Sequence, residues 1–277
     1  MAKLLIELLA VILIIALLVY IFVCLWLFFR QDELLFQPGK WQPNSPCPRD
    51  MGLDFKEGFL RSGGEDICFW YLENPNAQMT VLLLHGNAGN LSDRIDLLNA
   101  LYDFGLSIFV IDYRGYGKST GIPTEEGLYQ DARSAYDYMI NALNINPEQI
   151  VIYGRSLGGA VAIDLVWSMA INKGKLIMDA SFTSLGDISK RLYPFLPVGL
   201  LLKYKFDSIH KIKNIMIPVL FVYSKEDELI PLSMGQDLFE HCPSSMKDMV
   251  ILKHGLHNDV FFEDKDSFFA ALRNFLN

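Results

Sequence analysis

The 277-residue chain predicts a mostly parallel, doubly wound α/β sheet behind an apolar N-terminal helix. Three observations carry this prediction. Strand-like and helix-like runs alternate along residues 54–277, the order that strand–helix–strand units produce. Several strand-like runs are apolar at every position, as in strands covered by helices on both faces. Polar or glycine-rich residues follow five strands at once, at the end of such a sheet where ligands sit.

From the N-terminus, residues 8–29 hold no charge over 22 positions, enough to cross ~30 Å of hydrocarbon as a helix. Tyr20, Trp26 and Phe29 lie toward one end, and Arg30 stops the run. The apolar stretch exceeds the roughly 7–15 residues of a cleaved signal core, and no small-x-small site follows it. Cys24 is preceded by Ile21-Phe22-Val23, without the small residue a lipid-modifying peptidase needs. A run apolar on every face is either a buried core helix or a membrane span, and its length favours the span. Residues 1–30 are therefore expected to be a transmembrane anchor, meeting the membrane through residues 4–29. Lys3 on one side and Arg30, Lys40 and Arg49 on the other lean toward a cytoplasmic domain, but the side stays open.

Residues 31–53 contain Pro38, Pro43, Pro46, Pro48 and two glycines and read as an irregular linker. Residues 54–277 form the expected folded domain. Strands are predicted at 54–61, 67–72, 81–85, 107–112, 150–153, 176–178, 219–223 and 249–252. Helices are predicted at 90–104, 125–143, 157–170, 233–241 and 260–276.

The net charge of −8, with no basic stripe, argues against nucleic acid as a partner. Four cysteines without a C-x-x-C offer neither a zinc pattern nor a disulfide framework. A Cys47–Cys68 bridge is conceivable, with unpaired, apolar-packed thiols the favoured state. Gly117-Lys118-Ser119 resembles the end of a phosphate-binding loop, but Asp112 stands where that pattern needs its first glycine.

Residues 151–159 read Val-Ile-Tyr-Gly-Arg-Ser-Leu-Gly-Gly, a strand running into a complete G-x-S-x-G and then a helix. The pattern alone could be a strand–helix turn whose serine caps the helix. The flanking strand and helix favour a nucleophile elbow at Ser156. A serine hydroxyl needs a neighbouring base, and the base an orienting carboxylate. In this fold the order is Ser, then Asp or Glu, then His. Of five histidines, His85 precedes Ser156, while His210 and His241 do not follow strands. His254 and His257 lie beyond the last strand, and His257 is favoured because His254 sits too near the strand end. Among seven aspartates between Ser156 and His257, Asp227 lies in a post-strand loop that leads through Pro231 into a helix. Glu226 and Glu228 are neighbours that would substitute if the register slips. The oxyanion of the reaction needs two aimed donors. The backbone N–H groups of Leu157 and Asn87 are the candidates, and His85 itself reads as structural.

HGNAGN at 85–90, DYRGYGKS at 112–119, GRSLGG at 154–159, the Asp227 loop and HGLHND at 254–259 together resemble the α/β-hydrolase superfamily. More closely they resemble its Bem46-like group, which includes the membrane-anchored α/β-hydrolase domain-containing proteins 13 and 17. The likeness spans nearly the whole chain after about residue 35 and includes Phe182-Thr183-Ser184. It implies an α/β-hydrolase fold with an eight-stranded, mostly parallel sheet, and a serine hydrolase with Ser156 as nucleophile, Asp227 as acid and His257 as base. Such folds insert a cap over the site at about 186–207, and Leu192, Tyr193, Phe195 and Leu196 make that segment apolar here. An ester or thioester, acyl-lipid-like, is the expected substrate, with no metal or organic cofactor. The same triad also serves peptidases and amidases. A non-catalytic membrane adaptor is a further alternative, although no triad residue or oxyanion glycine is missing.

Overall fold

The computed structural model describes residues 1–259 and 263–277. Helix α1 spans Ala2–Leu35 and is followed by the two-residue strand β1 (Gln37–Pro38). Strands β2 (Lys56–Ser62) and β3 (Glu65–Leu72) form an antiparallel pair around Gly63 and Gly64. Then come β4 (Thr80–Leu84), the short β5 (Ala88–Gly89), α2 (Ile95–Asp103), β6 (Ser107–Ile111) and α3 (Glu125–Asn141). The second half holds β7 (Ile150–Arg155), α4 (Leu157–Ser168), β8 (Lys175–Asp179), α5 (Leu185–Leu192), α6 (Val198–Leu201) and α7 (Ser208–Lys211). It closes with β9 (Val219–Ser224), α8 (Leu232–His241), β10 (Lys247–Leu252) and α9 (Lys265–Leu276).

Eight strands make one sheet in the order β10-β9-β8-β7-β4-β6-β3-β2. Every pairing from β10 to β6 is parallel, and only β3 and β2 run against their neighbours. The apolar strands are explained by alternation. Leu82 and Leu84 of β4 face a core layer shared with Ala135 of α3 and Val161 of α4. Val81 and Leu83 face the opposite layer, with Leu98 of α2 and Leu272 of α9. A strand buried on both faces has no polar position to show.

Two expectations shift in detail. The run 90–104 begins as a 3-10 turn, Leu91–Arg94, because Asn90 and Asp93 cap each other's backbone before α2 starts. Residues 31–53 are less irregular than their prolines suggest. Helix α1 continues to Leu35, β1 pairs parallel with β5, and Lys40 bridges to Gly117. Of the expected helix 260–276, residues 260–262 lie outside the described residues, and α9 covers the rest from Lys265. All four cysteines are unbridged, and burial pushes the Cys68 thiol up to about 12.

Candidate active site

Strand β7 enters α4 through Ser156, whose φ of 53° and ψ of −119° lie outside the regions a side chain favours. The surroundings hold this strained turn in place. The Ser156 N–H donates to the Asp179 carbonyl at 2.8 Å, and the Ser156 carbonyl accepts from Gly159 N–H at 2.9 Å and the Ser181 hydroxyl at 3.0 Å. A Cβ on Gly158 would run into the backbone carbonyls of Leu84 and His85 on the neighbouring strand. One on Gly154 would meet the backbone of Gly158 and Gly159. The two glycines let strand and helix approach closely enough to present the hydroxyl.

His257 stands between Ser156 and Asp227. Its Nε2 is 3.0 Å from the Ser156 Oγ, and its Nδ1 is 2.8 Å from the Asp227 Oδ2. A carboxylate accepts, so Nδ1 carries the proton and Nε2 offers its lone pair to the serine hydroxyl. Asp227 is fixed in turn: its Oδ1 accepts the N–H groups of Leu229 at 2.9 Å and Ile230 at 2.7 Å. Its neighbours hold the histidine loop instead of the imidazole. Glu228 accepts the His257 N–H at 2.9 Å, and Glu226 accepts the Gly255 N–H at 3.3 Å. His254 is exposed and lies 3.5 Å from Glu226, away from the serine.

Asn87 and Leu157 both border the cavity over Ser156. No acceptor among the described residues takes the backbone N–H of either. Asn87 is tied on its other atoms: its side-chain amide donates to the Leu35 carbonyl at 3.0 Å, and its carbonyl accepts from Gln37 N–H at 3.0 Å and the Tyr116 hydroxyl at 2.7 Å. The loop that carries the Asn87 N–H is thus fastened to the end of α1.

A family model described as serine aminopeptidase, S33 (Hydrolase_4), matches residues 75–195. Bem46 of Schizosaccharomyces pombe is 31% identical over 271 residues, 92% of this chain and 88% of that protein. The chain belongs to the α/β-hydrolase superfamily, in its Bem46-like group. An uncharacterized membrane protein of Saccharomyces cerevisiae is 32% identical over 211 residues, 75% of this chain and 74% of its own. Among solved structures, a Pyrococcus furiosus esterase superposes with a TM-score of 0.70 at 17% identity, over 87% of this chain and 96% of that one. An esterase from Exiguobacterium antarcticum gives 0.59 at 18% identity, over 80% and 99% of the two chains. At such identities the fold is what is shared.

Two cavities meet at Ser156 in this Bem46-like chain. The first, about 350 Å³, is walled by Phe182, by Ile188 and Leu192 of α5, by Leu201 of α6, and by Leu27 and Leu34 of α1. None of the described residues lining it is charged. The α1 wall is bonded to the cap. Gln31 donates to the Leu201 carbonyl at 2.6 Å and accepts the Lys203 N–H at 2.9 Å, and the Tyr204 hydroxyl donates to Asp32 at 2.7 Å. Farther along α1, the Tyr20 hydroxyl donates to the Phe195 carbonyl at 2.9 Å. The outward side of the cap leaves Phe195 90% and Leu200 85% exposed. The second cavity, about 290 Å³, is bordered by Arg94, Arg155, His257 and Asn258.

Sequence reasoning passed over Arg155, the variable residue of G-x-S-x-G. Its guanidinium donates to the His257 carbonyl at 2.8 Å and lies 3.8 Å from Asp179, which also accepts the Tyr153 hydroxyl at 2.7 Å. It braces the loop that carries the imidazole. His85 is buried against Tyr113 and Tyr116, its Nδ1 donating to the Gly86 carbonyl at 2.7 Å. Burial and the nearby Arg94 hold it down to about 3, so it is neutral packing. The Gly117-Lys118-Ser119 segment is also structural: Lys118 pairs with Glu57 at 2.7 Å, and the Ser119 hydroxyl donates to the Asp112 carbonyl at 2.7 Å.

Proposed function

We propose that this chain is a membrane-anchored serine hydrolase that cleaves carboxylic esters or thioesters of acyl-lipid type. The observation that carries the reading is His257 bridging Ser156 and Asp227 beside an uncharged, apolar cavity of about 350 Å³. In this mechanism His257 takes the Ser156 proton as Oγ attacks the carbonyl carbon. The Leu157 and Asn87 N–H groups receive the developing oxyanion, each worth roughly 3–4 kcal/mol in comparable sites. His257 then protonates the departing alcohol or thiol. Water, activated by the same imidazole, releases the acid from the acyl-serine.

The acyl chain lies in the cavity between cap and α1. Helix α1 is long and apolar enough to cross a membrane. That character, and a yeast relative named as a membrane protein, support the anchor.

The family model's description suggests a second reading, an aminopeptidase. That activity places a substrate ammonium on the acyl side of the scissile bond, where a carboxylate would bind it. The described residues of the acyl-side cavity include no carboxylate, which favours a fatty acyl group.

The test is fluorophosphonate labelling of the full chain in detergent, followed by p-nitrophenyl esters from acetate to palmitate. Labelling of the wild type and not of Ser156→Ala, with activity that peaks at medium or long chains, is the expected result. Labelling that survives Ser156→Ala sinks the nucleophile, and a steep preference for acetate sinks the acyl-lipid reading.

A further inference from the structure

We propose that the second cavity binds an anionic group on the leaving half of the substrate. The preferred substrate is then an acyl ester or thioester whose alcohol or thiol carries a phosphate or carboxylate a few bonds from the scissile atom. The inference rests on the hydrolase reading above and names the substrate class of that site.

Chemistry assigns the two cavities to the two halves of the substrate. As the acyl–serine bond forms, the bond from the carbonyl carbon to the leaving oxygen or sulfur breaks. The electron pair goes to that atom, and the proton that His257 took from Ser156 follows it. Whatever is attached to the leaving atom must therefore lie on the imidazole side of the serine. The 290 Å³ cavity borders both Ser156 and His257. The apolar cavity borders Ser156 and not His257.

The charge on the imidazole side is unequally engaged. A guanidinium has five N–H donors. Arg94 spends one on the Ala88 carbonyl and its Nε is buried without a partner; among the described residues Asp93 and Asp112 lie near enough to favour its charge, but neither comes within ion-pair distance. Arg155, its side chain 15% exposed, makes the bond to His257 and faces Asp179 at 3.8 Å. The two guanidinium groups are close enough to repel, and burial together with Arg155 lowers the Arg94 pKa. Asp93 and Asp96 also border the cavity, but both residues are exposed. Asp93 is already the acceptor for the Asn90 N–H. Exposed charges are screened by solvent, while half-buried guanidinium groups with free N–H vectors are suited to a forked oxyanion.

The experiment compares mono-oleoylglycerol with oleoylglycerol 3-phosphate at equal surface fraction in mixed vesicles with the full chain. A matched octanoyl pair in solution distinguishes a lipid-borne phosphate from a soluble one. The wild type is expected to favour the phosphate-bearing ester by roughly 10- to 100-fold in kcat/KM. Raising salt from ~0.05 to ~0.5 M should shrink that ratio. Arg94→Gln should reduce it by about tenfold, mainly through KM, and Arg94→Lys should restore part of it. A wild-type ratio at or below one overturns the proposal. A thermal-shift titration with glycerol 3-phosphate against glycerol reads the subsite without turnover. Stabilisation by the phosphate alone, lost in Arg94→Gln, supports the subsite even if no ester is hydrolysed and the proposed function fails. Equal response to the two overturns it.

Discussion

The two cavities at Ser156 differ in almost every physical respect. One is apolar, uncharged among its described lining residues, and walled by α1 and the cap. The other is lined by the loops after β4 and β10, the end of β7 and the start of α2, and carries two arginines and two aspartates. The difference follows from which elements build them. Helices that pack by apolar faces leave an apolar gap, whereas the ends of parallel strands collect polar loop residues. With Ser156 as the proposed nucleophile at their junction, the pair of cavities suits a molecule with one greasy and one charged half.

The largest perturbation of that arrangement removes what the cavities share. Ser156→Ala should lower kcat by roughly 10⁴- to 10⁶-fold on any ester, read by burst and steady-state kinetics. Asp227→Asn should lower kcat by about 10⁴-fold with little change in KM, because the imidazole loses its fixed tautomer. Filling one cavity sharpens the contrast. Leu34→Trp should cut kcat/KM for palmitate esters at least ~10-fold relative to acetate esters, measured across the p-nitrophenyl series. Gln31→Ala leaves the bonds of Asp32 and Tyr20 in place and severs the two hydrogen bonds that the Gln31 side chain makes to the cap. At about 1 kcal/mol each, their loss should lower the Tm by several degrees in calorimetry.

A last contrast concerns the packing behind the site, where two opposed terms leave little net effect in the wild type. Burial holds His85 down to about 3 and drives Asp112 up to about 7, with the groups 3.8 Å apart. The unfolded chain protonates His85 near 6.5 while the folded one waits until about 3, so this term adds stability as pH rises between them. The folded chain keeps the Asp112 proton to about 7 while the unfolded one loses it near 3.8, so this term removes stability over that range. The two oppose each other in the shared window. Asp112→Asn should make the Tm climb more steeply from about pH 4 to 6.5 than in the wild type, and His85→Gln should make it climb less or fall.

Chain order and position after strands brought Ser156, Asp227 and His257 forward, because a parallel sheet collects strand ends on one side. The same logic pointed to the Asn87 loop. What stayed hidden depends on contacts between distant parts of the chain. Arg155 reaches His257 across 102 residues, and Gln31 reaches Leu201 across 170. No local spacing announces such pairs. Prolines made residues 31–53 look loose, yet the backbone of Gln37 and Gly39 bonds to the Asn87–Gly89 loop beside Ser156. Arg94 was hidden in a helix-like run, since only the 3-10 turn before α2 directs it toward the serine.

The bond from Tyr20 to Phe195 also sets a depth. Tyr20 lies ten residues before Arg30, where the apolar run ends. At about 1.5 Å per residue that is roughly 15 Å, near half the hydrocarbon thickness of a bilayer. If α1 spans a bilayer as proposed, the turn carrying Phe195 would be immersed in one leaflet, and the apolar cavity would open beside lipid tails. Under the proposed function, substrate would arrive by sideways diffusion within that leaflet, and a freed fatty acid would return to it without crossing water. Such an enzyme would sample the composition of the single leaflet in which it is embedded.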